Sequence, residues 1–452
     1  MAVTDMIPNM IRGTLRGAIA MATITGTARA QDLTVTAPEQ TEAIAILGGT
    51  VHPIAGEPIE DGMVIFENGV ITYVGPIRTN LPMGTRQIDA MGKHVMPGMI
   101  SGTTALGLSE IQALKQTEDY DETGAITPEA LPAVAFNPDS TLMPVTRSAG
   151  ILVAGVMPRG GRVPGRASVM QLEGWTNHDL ALLPDAGVVV NWPNMRPVTA
   201  WWMEMSAGEQ KKRRNEQLAQ IDGLWAQAEA YVAERDADSA RAVDVRLEAL
   251  RPTLEGNSDQ RPVFVRAQDI DQITSAVRWG AERGLDIVIV GGRDAPMVSD
   301  LLKAHDVDVM LTGINTFPKR ADAPYDAVYT VPAKLEAAGI RWCLSNGDDP
   351  GHERSMPHHA GKAIAFGLDR AAAWRGLTLS AAEILGVDER VGSLEVGKDA
   401  TLSVIDGEPW EVTSRVEAAF IGGREIDLSN KQSKLADKYR EKYRQLGVTR
   451  ED

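Results

Sequence analysis

Aspartate and histidine residues crowd one short segment near the C-terminal end of the chain, and that combination could hold a metal ion. The segment GDDPGHERSMPHHAG carries Asp348, Asp349, His352, His358 and His359 within twelve residues. Carboxylate and imidazole ligands together suit zinc or a similar ion. However, adjacent histidines diverge by about 100° on a helix, and Pro and Gly make the segment irregular. A polar cluster at the start of a helix is the alternative interpretation.

Two further segments carry positive charge. The loop PRGGRVPGR (Pro158–Arg166) holds Arg159, Arg162 and Arg166 among glycines, and such a loop could bind an anionic group. A flexible surface loop is the alternative. The run Lys211–Arg214 lies in a long polar segment with a helical pattern and predicts a solvated helix face rather than a nucleic-acid patch.

The composition excludes several classes of protein. The chain has 452 residues, of which 43% are hydrophobic, and a net charge of −16, which argues against nucleic acid or an anionic membrane as partner. No apolar run reaches the roughly 18 residues that span a bilayer. The single cysteine, Cys343, rules out a disulfide framework and a multi-cysteine metal site.

The first thirty residues have the pattern of an exported leader. Arg12 and Arg16 precede a weakly apolar stretch that ends in Ala28-Arg29-Ala30, and this arrangement is typical of a signal peptide cut after an A-x-A motif. We therefore predict a signal peptide over residues 1–30 and a periplasmic or secreted protein. A disordered N-terminus is the alternative.

The elements that must position these residues alternate between strand and helix. Apolar runs such as PVFVR, DIVIVG and IRWCLSN are separated by amphipathic segments over about 300 residues, which predicts a (β/α)8 TIM-like barrel over residues 98–396. Both chain ends are β-rich, so residues 41–97 and 397–428 are predicted to form one small composite β-sandwich domain, followed by a helical tail at 429–452. A doubly wound sheet is the alternative, but no phosphate-binding glycine fingerprint follows the first strand.

Four motifs in this frame resemble the metal-dependent amidohydrolase superfamily, in particular its imidazolonepropionase-like branch. They are GKHVMPGMI, SAGILVAGVMPRGGRVPG, ERVGSLEVGKDATLSVIDGEPWE and VEAAFIGGREI. The resemblance implies a hydrolase that acts on non-peptide or cyclic C–N bonds. It also implies one or two divalent metals at the carboxyl ends of the barrel strands, which generate hydroxide from bound water.

The same resemblance implies that most metal ligands have been replaced. The two histidine positions of the first strand fall on Thr103 and Ala105, and Arg266-Ala267 stands where the family has His-Ala. An arginine stays protonated and cannot coordinate a cation. Glu173 is the one acid at a strand end in the middle of the chain. The proton-shuttling aspartate of the family falls on Asp348, with Asp349 as the alternate register. We expect Thr103, Ala105, Glu173, Arg266, Asp348 and Asp349 to converge at the barrel mouth.

Three functional hypotheses follow. The first is a degenerate amidohydrolase without a cofactor, which binds a small molecule and either forms a homo-oligomer or pairs with an active relative. Arg266 would then favour an anionic ligand group, or would simply neutralise Asp348. The second is an active hydrolase with a rebuilt zinc site at Asp348, His352, His358 and His359. The third is a non-metal enzyme or carrier, although no G-x-S-x-G elbow is present.

Overall fold

The computed structural model describes residues 34–111, 114–254, 256, 260–347 and 349–448. The predicted leader and Asp348 lie outside these residues. The strands are β1 Ile44–Val51, β2 Ile59–Glu67, β3 Val70–Pro76, β4 Arg86–Asp89, β5 His94–Pro97, β6 Met99–Thr104, β7 Ile151–Val156, β8 Gly165–Gln171, β9 Ala181–Asn191, β10 Val263–Ala267, β11 Ile287–Gly291, β12 Asp308–Thr312, β13 Trp342–Ser345, β14 Leu402–Ile405, β15 Val416–Ile421 and β16 Arg424–Glu425.

Helices connect most of the later strands and cover the outside of the barrel. The α-helices are α1 Pro132–Ala135, α2 Leu142–Arg147, α3 Asn177–Leu180, α4 Ala207–Ala237, α5 Val245–Glu248, α6 Ile270–Glu282, α7 Ser299–Ala304, α8 Val331–Ala338, α9 Met356–Ala365, α10 Arg370–Leu377, α11 Leu379–Leu385 and α12 Lys431–Gln445. Short 3-10 turns occupy Lys115–Thr117, Arg251–Thr253, Ala295–Val298 and Pro350–Ser355. Within the described ranges, we find no helix both long and apolar enough to cross a membrane.

The two chain ends form one sheet, as predicted. Its strands run in the order β16-β15-β14-β5-β1-β2-β3, with β4 added parallel to β1. The antiparallel pairing of β5 with β14, in which Val95 faces Val404, joins the early and late segments. Asn68 and Gly69 turn β2 into β3 with φ of 52° and 81°, the positive values that an Asn-Gly hairpin turn needs.

The middle of the chain forms a nearly closed eight-stranded barrel, which confirms the predicted fold. The order is β13-β12-β11-β10-β9-β8-β7-β6. The first and last strands touch, because a Cβ built on Gly102 of β6 would lie 2.7 Å from the Cys343 sulfur of β13. Phe264, Met310 and Cys343 fill the interior, and Leu385 of α11 joins the same apolar cluster.

One barrel strand runs against the others. β8 pairs antiparallel with both β7 and β9, whereas the remaining neighbours in this sheet pair in parallel. Only residues 157–164 connect β7 to β8. A parallel crossover needs a dozen or more residues, so this connection makes a hairpin. We define the barrel mouth as the end of the barrel at which the parallel strands finish. The carboxyl end of β8 therefore faces away from the barrel mouth.

Candidate functional site

A polar cavity of about 590 Å³ lies over the ends of β10 to β13. Its side chains come from the ends of these strands, from the loops that follow them and from the helices next to those loops, because the carboxyl ends of parallel strands open on one face of a barrel. Its polar lining includes Gln268, Arg293, Thr312, Asn315, Lys319, Asn346, Asp349, His352, Ser355 and His359. We call this space the mouth cavity.

His359 on α9 is the most buried polar group of the mouth cavity, with 5% of its surface exposed. Burial, and then the charge of Lys362 and His358, lowers its pKa to about 4, so the ring is neutral at physiological pH. Its Nδ1 is buried and has no hydrogen-bond partner in the described part of the chain. Gly313 leaves the ring its space, because a Cβ there would lie 3.1 Å from His359 Cε1.

Asp349 and His352 form a pair on the loop that follows β13. Asp349 Oδ2 lies 2.7 Å from His352 Nδ1, and Asp349 Oδ1 accepts a hydrogen bond from the Gly351 backbone at 3.1 Å. The second bond shapes the turn at Pro350–Ser355. His352 is exposed, with 67% of its side-chain surface accessible. The pair thus places one carboxylate and one imidazole at the rim of the mouth cavity.

Glu353 on the same loop is completely buried against the first barrel strand. Its carboxylate accepts hydrogen bonds from the Ser101 hydroxyl at 2.5 Å and the Thr104 hydroxyl at 2.6 Å. Burial raises the pKa of Glu353 to about 7 despite these bonds and one from the Asn346 backbone. The side chain anchors the loop after β13 to β6, where the two edges of the barrel sheet meet.

Thr103 and Ala105 at the end of β6 are both buried. Thr103 Oγ1 has no hydrogen-bond partner in the described residues. Arg266 lies two residues beyond Phe264, which packs in the barrel interior, so its side chain faces the same way. Its Nη2 lies 3.4 Å from the Pro158 carbonyl, just beyond β7. These three residues therefore sit at the mouth end of their strands.

Glu173 does not join them, and the prediction that it lies at the barrel mouth is wrong. It follows β8, whose reversed direction carries it to the opposite end of the barrel. There it forms a buried ion pair with Arg147 and accepts a hydrogen bond from the Ala37 backbone at 2.7 Å. Glu173 has a structural role, in which it ties the segment before β1 to α2.

His358 also lies apart from the mouth cavity, unlike its neighbour His359. Its Nδ1 is 3.4 Å from the carbonyl of Trp410, and it does not line the cavity. The two rings diverge because consecutive residues on a helix are about 100° apart. The predicted His358-His359 pair therefore does not act as one pair of ligands.

Several mouth residues were missed from the sequence, among them Gln268, Arg293, Lys319 and Glu353. A positional signal was available for two of them, since Gln268 directly follows β10 and Arg293 stands two residues beyond β11. Lys319 lies on a longer loop after β12, and no spacing marks it. Glu353 carries no motif, and its role depends on the contact between the ends of the barrel.

Comparison with known proteins agrees with this architecture. A model of the amidohydrolase family matches residues 354–431. An imidazolonepropionase of Sphingopyxis alaskensis is 26% identical over 386 residues, covering 79% of this chain and 90% of the relative. A 5-methylthioadenosine/S-adenosylhomocysteine deaminase of Symbiobacterium thermophilum is 45% identical over 64 residues, only 13% of this chain and 14% of the deaminase. The crystal structure of an amidohydrolase from Thermotoga maritima shares 24% identity with a TM-score of 0.74, covering 85% of this chain and 99% of that one.

In sequence and in fold, the chain is similar to members of the amidohydrolase superfamily.

The mouth residues fit the metal centre implied by that superfamily poorly. Thr103 offers one neutral hydroxyl, Ala105 offers no donor, and Arg266 brings a positive charge. Within residues 34–448, leaving out the undescribed gaps, no three His, Cys, Asp or Glu side chains converge closely enough to hold a metal ion. We therefore derive no step through a metal at the family positions.

Proposed function

We propose that this protein is a degenerate amidohydrolase that binds a small anionic molecule in the mouth cavity and has lost metal-dependent hydrolysis. The observation that carries the proposal is the set of residues at the expected ligand positions, Thr103, Ala105 and Arg266. Loss of a single partner that only orients a metal ligand costs about 10–100-fold in affinity. Loss of the ligands themselves costs more.

The ligand class follows from the charges around the mouth cavity. Arg293 and Lys319 line it, opposed by the carboxylate of Asp349, which already contacts His352. Gln268, Thr312 and Asn346 add neutral hydrogen-bonding groups. A guanidinium grips a carboxylate through two parallel hydrogen bonds. A small carboxylic acid with further polar groups, such as an N-acyl amino acid, matches this lining.

Metal analysis and ligand binding together test the proposal. We expect the dialysed protein to contain far less than one equivalent of zinc and to show no amidase activity. We expect small carboxylic acids to raise the melting temperature of the protein. The variants Arg293→Gln and Lys319→Gln should lose this stabilisation. Lys303→Gln is the matched control, since Lys303 is exposed on α7 and does not line the cavity. Metal-free hydrolysis of N-acyl amino acids at enzymatic rates would overturn the proposal.

A rebuilt zinc site is the second candidate, and one observation favours it. Asp349, His352 and His359 line the same cavity, and the buried Nδ1 of the neutral His359 is unpaired in the described chain. Zinc would have to draw these three side chains together, because they do not converge as ligands in the described residues. About one equivalent of zinc that survives dialysis and disappears in His352→Ala and His359→Ala would establish this site. His358→Ala serves as the control, because His358 lies outside the cavity and its loss should leave zinc binding unchanged.

Export and assembly remain proposals of the same kind. We propose a periplasmic or secreted protein that forms a homo-oligomer or pairs with an active relative. Mass spectrometry of the native protein would identify a cleaved leader from the loss of residues 1–30. Light scattering at several concentrations would detect self-association, and a strictly monomeric mass in both the presence and absence of a catalytic relative would contradict the assembly proposal.

A further inference from the structure

A second cavity, of about 320 Å³, lies beside the end of β9 and is lined by an unusual concentration of positive charge. One wall is the end of β9 with the segment 192–198 that follows it, and the other is the first turns of α4. The cationic side chains that line it are Arg162, Arg196, Lys211, Arg213 and Arg214, and the lining contains no Asp or Glu. We call it the basic cavity. It shares no lining residue with the mouth cavity.

Three of these arginines have only uncharged partners. Arg214 donates to the Met195 carbonyl at 2.8 Å, and Arg213 lies 3.8 Å from the Met205 sulfur. Arg162 meets the Gln217 amide, whose oxygen accepts at 2.8 Å in the orientation that satisfies both groups. None of the three forms an ion pair within the described part of the chain, and the buried Nε of Arg162 has no partner there.

Two arginines that contact later turns of the same long helix are, by contrast, compensated by carboxylates. Arg283 forms ion pairs with Asp222 and Glu229 of α4, and Arg251 pairs with Asp236 and Glu248. The chain as a whole carries a net charge of −16. Burial together with the nearby charge of Arg213 lowers the pKa of Arg162, the direction expected when like charges lie close together without a counter-ion. An anion between them would relieve the repulsion.

The position of Arg162 is set by the barrel rather than by a loose loop. The Asn191 side chain, at the end of β9, donates to the carbonyls of Arg159 at 2.6 Å and Gly161 at 3.0 Å. The Asn191 backbone donates to the Arg162 carbonyl at 2.9 Å. A site held in its binding geometry loses less entropy when a ligand arrives.

We propose that the basic cavity binds a phosphate-bearing small molecule. Guanidinium groups match the oxygens of a phosphate through paired hydrogen bonds, and several cations are needed to balance a dianion. Trp192, Met195, Met203 and Met205 line the same space, so an apolar group attached to the phosphate would also be covered. Sulfate esters offer the same kind of oxygens to the arginines. The affinities of the protein for phenyl sulfate and for phenyl phosphate distinguish these two classes of ligand.

Calorimetry with the full-length protein tests the site. The probes are pyrophosphate, phenyl phosphate, phenyl sulfate and the uncharged phenol. We expect binding of phenyl phosphate that weakens as salt is added, because salt screens exposed charges, and no binding of phenol. Equal or tighter binding of phenyl sulfate would assign the site to sulfate esters, against the proposal. Absence of binding by all three anions would also overturn it.

Single substitutions identify the cavity as the binding site. Arg162→Gln and Arg213→Gln should each weaken phenyl phosphate binding at least tenfold, as expected for loss of a charge-assisted hydrogen bond. Lys212→Gln is the matched control, since Lys212 is adjacent on α4, pairs with Glu216 and does not line the cavity. Arg213 is exposed, so its variant should fold normally. Equal affinities of Lys212→Gln and Arg213→Gln for phenyl phosphate would overturn the proposal. Because Arg293 lines the mouth cavity and not the basic cavity, Arg293→Gln should leave phenyl phosphate binding unchanged.

Discussion

At the scale of single residues, Glu353 anchors the loop after β13 to the first barrel strand. Its buried carboxylate receives the Ser101 and Thr104 hydroxyls and one backbone N–H. We expect Glu353→Ala to lower the free energy of unfolding by roughly 3 kcal/mol or more, because three buried donors would lose their acceptor. Urea denaturation measures the change.

One further variant separates the hydrogen bonds from the charge, and a second variant serves as a control. Glu353→Gln keeps the side-chain volume and one acceptor oxygen, so it should lose about half as much stability. Glu389→Ala removes an exposed glutamate and should change stability by less than about 0.5 kcal/mol. If Glu353→Ala matched the Glu389 control, the anchoring role would be wrong.

The candidate site could be predicted from sequence only where a motif fixed both the strand and the position along it. Arg266 stands in a recognisable buried strand near its mouth end, and Asp349, which was predicted only as the alternate register of Asp348, lines the mouth cavity. Glu173 was misplaced because its strand runs in the unexpected direction. Lys319 was missed because it lies on a long loop, whose path depends on tertiary contacts rather than on spacing.

At the scale of secondary structure, the Asn68-Gly69 turn determines the pairing of β2 with β3. Gly69 has a φ of 81°, and a Cβ there would lie 2.9 Å from the Gly422 carbonyl oxygen. We expect Gly69→Ala to lower the free energy of unfolding by about 1–2 kcal/mol, from the cost of a side chain in the left-handed region added to this clash. Thermal and urea unfolding give the value.

Gly56→Ala is the control for this turn. Gly56 lies on an exposed loop with no atom within 4 Å of its added Cβ. Its substitution should leave stability within about 0.5 kcal/mol of the original. Equal effects at the two glycines would show that the turn conformation does not limit the stability of the composite sheet.

The reversal of β8 explains why the barrel could be predicted but the direction of one of its strands could not. An apolar run such as ASVMQL is compatible with a buried strand in either direction. The direction follows instead from the eight-residue connection 157–164, which is too short for a helical crossover. Measuring the connection lengths, in addition to the apolar runs, would have found the reversal and the position of Glu173.

At the scale of the whole molecule, an acidic cluster below the barrel makes stability depend on pH. Burial raises the pKa of Asp308 to about 6, with Asp286 and Asp306 nearby and Arg341 in contact as a counter-charge. The folded state therefore holds a proton that the unfolded state releases near its ordinary pKa of 3.8. Since the folded state binds more protons between those values, stability from this group falls as the pH rises from about 4 to 6.

Substitution of Asp308 isolates this contribution. Asp308→Asn does not titrate, so its stability relative to the original chain should rise by about 2–3 kcal/mol between pH 4 and pH 7. Asp300→Asn, at an exposed position on α7, should change little over the same interval. Urea unfolding at a series of pH values gives both curves. Parallel curves for Asp308→Asn and the original chain would contradict the raised pKa.

The composite sheet imposes an order of assembly during synthesis. β5 leaves the ribosome about 300 residues before β14, its partner in the ladder. Until β14 arrives, β5 presents an unpaired strand edge, and such edges pair readily with other chains. A nascent chain halted anywhere in the barrel would therefore carry an open strand edge that is prone to aggregation. The last strands to be made close this edge, so the completed sheet distinguishes a finished chain from an interrupted one.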